Sequence, residues 1–144
     1  MTVWYSNELA GIDSVPAVKA NASGAYNAKV LRFRATVPLS AQQVGDTINL
    51  ARFPAGATFM LGILNSSVSL STSTIAIGVA GTTGKYLTAQ TFTTPNVPTL
   101  FATDTEPDEA LAPYTAEEDV ILTVAVLALP ALGQLVVDFL VSNV

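Results

Sequence analysis

DVILTVAVLALPALGQLVVDFLVSNV, residues Asp119 to Val144, holds two apolar runs, Val120 to Leu129 and Leu135 to Val141, separated by Pro130-Ala-Leu-Gly133. Proline and glycine at such a break supply turn chemistry, so the spacing predicts a central β-hairpin with one run folded back on the other. In the second run Leu135, Val137, Phe139 and Val141 share one face while Gln134 and Asp138 fall on the other, a period of two. The first run is apolar on both faces, with Leu122, Val124 and Val126 opposite Ile121, Ala125 and Leu127. A strand of that kind is expected to be covered on both sides. Val124 and Phe139, mid-strand in unbroken apolar faces, are core candidates.

The same stretch is uncharged from Val120 to Val137, close to the about 20 residues that a bilayer-spanning helix needs. Pro130 and Gly133 at its midpoint, Gln134, the many β-branched residues and the lack of any Lys or Arg after Lys85 count against a helix. No membrane partner is expected. The N-terminal MTVWYSNELAGIDS has neither the basic nor the apolar region of a secretory leader.

Working outward, composition narrows the function classes. A chain of 144 residues is one domain by size, able to bury about two-thirds of its unfolded surface. It has no Cys, which excludes disulfides and thiolate metal sites, and no His, which removes the commonest general base and metal ligand. Ser and Thr abound, but no carboxylate or lysine stands in a constellation that would activate them. No catalytic residue, metal ligand or cofactor is nominated, and the chain is read as a non-enzyme. Charged residues are 12% of the chain and hydrophobic ones 50%, which suits a subunit that buries surface against partners. All six basic residues lie at or before Lys85 with three acids, and eight acids and no base follow. An acidic chain without a basic cluster is not expected to bind nucleic acid.

Upstream, Lys29 to Val37 alternates Leu31, Phe33, Ala35 and Val37 with Arg32, Arg34 and Thr36, and Pro38 closes it. One face is core, around Phe33, and the other is cationic. Asp46 to Phe53 repeats the pattern more weakly before the turn Pro54-Ala-Gly56. Ala57 to Leu64 places Phe59, Leu61 and Ile63 together. A short strand is expected at Val68 to Leu70, then one at Thr74 to Val79 with Ile75 and Ile77 inward. The turn Gly81-Thr-Thr-Gly84 leads into Lys85 to Phe92, with Tyr86 and Leu87 on opposite faces. From Thr93 to Glu118 four prolines punctuate the chain, and only Leu100-Phe101 reads as buried. No window holds an amphipathic helix. About eight short strands with regular turn signals predict an all-β, antiparallel β-sandwich or jelly roll over residues 29–144. Residues 1–28 read as an extended N-terminal arm.

The run INLARFPAGATFMLGILNSSVSLSTSTIAIGVAGTTGKYLTAQTF, Ile48 to Phe92, and LPALGQLVVDFLVSN, Leu129 to Asn143, resemble the small cement, or decoration, proteins of tailed-bacteriophage capsids. The matching features are an L-x-R-x-P-x-G-A turn (Leu50, Arg52, Pro54, Gly56, Ala57), a TIxIGxxG strand (Thr74 to Gly81) and a KYL start (Lys85 to Leu87). The resemblance extends over about two-thirds of the chain, and its motifs are structural rather than catalytic. The arm and the acidic loop 102–118 lie outside them. The resemblance implies a jelly-roll subunit made in the bacterial host cytoplasm and carried on the outer capsid surface. Its partners would be the major capsid protein and itself, as dimer or trimer, and its work the tying of neighbouring capsomers. A ligand-binding β-sandwich, carbohydrate-binding or fibre-associated, is the alternative, with Trp4, Tyr5, Tyr26, Tyr86 and Tyr114 as a sugar platform.

Other motifs fail on their chemistry. In GVAGTTGK, Gly78 to Lys85, a phosphate loop would need Gly in place of Val79 and Ser or Thr in place of Tyr86. Asp104, Glu106 and Asp108 have calcium-loop spacing, but Glu109 replaces the required Gly and Thr115 the bidentate Glu. Asn21-Ala-Ser23 and Asn65-Ser-Ser67 match the glycosylation acceptor, which carries meaning only with secretion. Partner contacts are expected elsewhere. Trp4, Tyr5, Leu9 and Ile12 make the arm too apolar for a free tail, and Arg32 and Arg34 face outward, where an acidic partner surface would meet them.

Overall fold

A computed structural model describes residues 29–102 and 113–143, which fold into eight strands: β1 (Lys29–Pro38), β2 (Thr47–Phe53), β3 (Thr58–Ser66), β4 (Thr74–Val79), β5 (Thr82–Thr91), β6 (Thr99–Phe101), β7 (Glu118–Ala125) and β8 (Gln134–Asn143). The arm with Trp4, Tyr5, Leu9 and Ile12, and the acids Asp104, Glu106, Asp108 and Glu109, lie outside the described residues.

One sheet runs β1-β8-β3-β6 and the other β2-β7-β4-β5, every pairing antiparallel. Strand 1 pairs with 8, 2 with 7, 3 with 6 and 4 with 5. This is one long ribbon folded at Ala80-Gly81 and rolled up, the order of a jelly roll. Rolling adds the β8–β3 and β7–β4 ladders, so β7 and β8, like β3 and β4, each gain a second neighbour and become central.

The expected hairpin between the last two runs is therefore wrong. β7 and β8 lie in opposite sheets, and residues 126–133 carry the chain across between them. The apolar content of both runs reflects central positions, which any two flanking strands satisfy. Cover on both faces of β7 is also corrected: Val120, Leu122 and Val124 are buried inward, while Ile121, Thr123 and Ala125 are half-buried outward. Val126 and Leu127 lie beyond the strand and are 69% and 49% exposed.

Bulges account for two further differences, and two more arise elsewhere. The β3–β8 register shifts between Phe59 and Leu61, so Met60 projects into solvent and Phe59 faces the core while Leu61 and Ile63 face out. Shifts in the β4–β5 ladder turn both Tyr86 and Leu87 inward, at 6% and 5% exposure. Val68 to Leu70 form no strand; Leu70 is buried in the β3–β4 connection, its N–H donating to the Phe92 carbonyl at 2.8 Å. Leu100 of the short β6 points outward and is exposed, whereas Phe101 is buried with its ring over Gly62 of β3. A side chain at position 62 would occupy the space of that ring.

Each sheet buries one face against the other. Phe59, Ile75, Ile77, Val124 and Phe139 are buried, and Phe33 is partly buried against them. Phe53, wholly buried at the end of β2, is the hub. Its ring centroid lies 5.5 Å from Phe33, 6.0 Å from Phe59, 6.1 Å from Tyr86, 5.8 Å from Tyr114 and 5.4 Å from Phe139. The Phe53–Phe139 contact is edge-to-face and spans the two sheets.

Phe139→Ala is expected to cost about 3–5 kcal/mol, a large share of a domain's stability, by denaturant titration. A double-mutant cycle with Phe53→Leu and Phe139→Leu is expected to give a coupling of about 0.5–1.5 kcal/mol. A cycle that sums to zero would remove Phe53 from its place as the bridge between sheets.

Candidate interaction surfaces

The outward face of the β1-β8-β3-β6 sheet combines apolar side chains with one ion cluster. Alternation on β1 sends Val30, Arg32, Arg34 and Thr36 outward, and the ladder sets Arg34 opposite Asp138 and Arg32 opposite Leu140. Ile63 of β3 flanks Asp138 on the other side, with Leu61 beside Leu140 and Leu100 beside Ile63. Both guanidinium groups clamp the one carboxylate. Arg32 donates from Nε and Nη2 to Asp138 Oδ1 and Oδ2 at 2.9 and 3.1 Å, and Arg34 does so at 2.9 and 2.8 Å. The hydrogen bonds from Arg34 and then Arg32 hold the Asp138 carboxyl far below the usual carboxylate range. The acidic group that Arg32 and Arg34 meet is thus the chain's own Asp138, and the cluster presents one net positive charge amid Val136, Leu140, Leu61 and Ile63. Asn65, on the same face beside Val136, has a buried side-chain oxygen without a hydrogen-bond partner.

The second surface is one end of the sandwich. Antiparallel pairing gathers there the connections β1–β2, β3–β4, β5–β6 and β7–β8, each of which crosses from one sheet to the other. Residues 39–46 and 126–133 run side by side, joined by Leu39 N–H to Gly133 O at 2.9 Å, Ala41 N–H to Pro130 O at 3.1 Å, Leu129 N–H to Gln42 O at 2.9 Å and Gly45 N–H to Val124 O at 2.8 Å. Ser73 adds a bond from its hydroxyl to the Leu127 carbonyl at 2.7 Å. Val126 adopts a positive φ of 70°, which costs a β-branched residue about 1–2 kcal/mol, yet it remains mostly exposed.

At the opposite end the core finishes in a polar cluster. Phe53 stacks on Tyr114, and Phe59 packs on Tyr86 at 4.7 Å. The Tyr86 hydroxyl donates to Glu118 Oε1 and so accepts from the Tyr114 hydroxyl, 2.7 Å away. Lys85 pairs with the other Glu118 oxygen and sits 5.3 and 5.4 Å from the centres of the two tyrosine rings. Burial first, then the Glu118 and Tyr114 hydrogen bonds, raise the Tyr86 pKa well above the tyrosine range; burial pushes Tyr114 up to about 12. Tyr86 is buried in the core and Tyr114 half-buried beside it, while Trp4, Tyr5 and Tyr26, the other rings of the sugar-platform alternative, lie outside the described residues. Arg52 and Asp119 pair at 2.6 Å nearby, with side chains 66% and 58% exposed, and such a pair adds little.

Among the described residues no group of three or more acidic side chains could hold a metal ion, and no helix is long and apolar enough to cross a membrane. Arg32 and Arg34 are the nominated contact residues that the structure describes, and it brings them together on one carboxylate. Sequence reasoning passed over Asp138 as their partner, although its place on the polar face of an otherwise apolar strand was a usable signal. It also passed over Phe53 and the exposed Val44, Val126 and Leu132.

No family model and no curated protein matches the chain. Among solved structures, it is similar to a chain of the cyanophage Pam1 capsid asymmetric unit, with 19% identity and a TM-score of 0.66 over 92% of this chain and 97% of that one. It is also similar to a chain of the capsid of Ralstonia phage GP4, with 17% identity and a TM-score of 0.64 over 91% and 93%. The shared feature is the fold.

Both clusters set pH limits. A carboxyl whose folded pKa is depressed contributes stability above its unfolded value, near 3.9, and loses it as pH falls toward the folded value. Asp138→Asn is therefore expected to be less stable than the parent at neutral pH, with the difference shrinking below about pH 4. Tyrosines with raised pKa stabilise fully below about pH 10, and that contribution fades as pH rises toward the Tyr114 value of about 12. Melting curves across both ranges, with Tyr86→Phe as the alkaline control, check the signs.

Proposed function

We propose that this chain is a structural virion protein, a cement or decoration protein that binds the outside of a phage head and stabilises contacts between capsomers. The observation that carries the reading is the match of the whole jelly roll, over more than nine-tenths of each chain, to chains of two phage capsid structures. The sequence motifs of the Ile48–Phe92 run point the same way, and so does a composition short of charge.

The outward face of the β1-β8-β3-β6 sheet is the surface that meets the major capsid protein. Leu61, Ile63, Val136, Leu140 and Leu100 supply apolar area, and the Arg32–Asp138–Arg34 cluster fixes register through its remaining donors. Burial supplies the affinity, since an exposed ion pair is worth about 0–1 kcal/mol. The arm carrying Trp4, Tyr5, Leu9 and Ile12 would extend this contact on the same virion surface. Such work needs no catalytic group, cofactor, nucleic acid or membrane.

Cosedimentation of the purified protein with mature and immature heads, alongside a glycan panel, tests the reading. Saturable binding to mature heads and none to glycans is expected. Leu140→Asp should abolish head binding, while Arg32→Ser with Arg34→Ser should weaken it more at low than at moderate salt. Glycan binding without head binding would overturn the proposal.

A further inference from the structure

We propose that the end of the sandwich where the β1–β2, β3–β4, β5–β6 and β7–β8 connections gather, the crossover end, is the surface through which copies of this chain associate with one another. Eight large apolar side chains are exposed among the described residues, and five of them, Val44, Val97, Val126, Leu127 and Leu132, lie at this end. Leu132 is 82% exposed. Such clustering marks an interaction site rather than the scattered exposure of an ordinary surface.

The backbone argues that the display is built. Val126 stands at φ 70°, a conformation that glycine or asparagine adopts at far lower cost, and yet it stays 69% exposed. Neighbouring segments are tied by backbone hydrogen bonds, so the patch is already ordered before any partner arrives. Preordered apolar side chains lose little freedom on docking.

Charge selects the occupant. Each copy has a net charge of −5, so copies repel unless they meet where acids are absent. At the end with Tyr114, the chain presents Glu117, Glu118 and Asp119 in succession. The crossover end carries a single charged side chain, Asp46, whose carboxylate accepts from the Gln43 N–H at 2.7 Å. An apolar patch with so little charge is compatible with itself, and a symmetric contact sets it against its own copy. The four connections together comprise about 30 residues, enough for one side of a standard protein interface. This association leaves the proposed head-binding sheet face uncovered and does not depend on it.

The test is sedimentation velocity of the full chain over a concentration series, for the parent, Val126→Gly, Leu132→Ser, the pair together, and Leu100→Ser on the sheet face. The parent is expected to form a defined oligomer. The pair should shift its dissociation to about tenfold higher concentration or more, with Leu100→Ser unchanged. Val126→Gly should keep or raise the melting temperature of the monomer, since glycine accepts the positive φ, and this separates lost association from lost folding. A parent that stays monomeric, crossover variants that assemble like the parent, or an equal loss in Leu100→Ser would each overturn the proposal. Crossover variants that still assemble but no longer bind heads would also overturn it, and would reassign this end to the capsid while leaving the proposed function standing.

Discussion

The edge-to-face contact between Phe53 and Phe139 joins two sheets that no hydrogen bond connects at that point. Each sheet presents one apolar face, and apolar faces alone would tolerate sliding and rotation. Five rings converge on Phe53 from β1, β3, β5, β8 and the segment before β7, and their edge-to-face and offset contacts favour particular angles. The end of β2 is thereby locked against both sheets. Gly62 serves the same packing from another side, because only a residue without a side chain leaves room for Phe101 to reach Phe139 at 5.9 Å.

Rolling one ribbon into two sheets also distributes the surface chemistry. The odd-to-even connections all emerge at one end, and there the chain is apolar, carries Asp46 as its one charged side chain, and holds Val126 at a positive φ. Beside the tyrosine cluster at the other end lie three successive acids, one engaged by Lys85 and one by Arg52. Between them the outward sheet face gathers its charges into one cluster, two arginines on one aspartate, which leaves a single net positive charge among apolar neighbours. A surface arranged in this way suits a subunit that works by contact.

Alternation along the chain made the strands legible, because a half-buried strand must place its side chains with a period of two. Leu135, Val137, Phe139 and Val141 read as one face and are one face. Bulges were not legible. A single extra residue at Met60 reverses the faces of Leu61 and Ile63, and nothing in the letters marks it, since both registers satisfy the same local preferences. The outward direction of Arg32 and Arg34 followed from alternation, but their shared carboxylate lies more than 100 residues away along the chain.

By itself the sequence determined an all-β chain of short strands, the inward residues of most of them, and a composition without His or Cys. Only the tertiary structure decided which strands are neighbours. Val120 to Leu129 and Leu135 to Val141 carry the apolar residues of central strands, yet whether they pair with each other or sit in opposite sheets depends on what lies on their flanks. A burial preference is met equally by either arrangement, because the hydrophobic effect has no direction and hydrogen-bond ladders accept any strand of suitable length. The choice was made by the rolled ribbon as a whole, which sets β1 and β3 beside β8, and β2 and β4 beside β7.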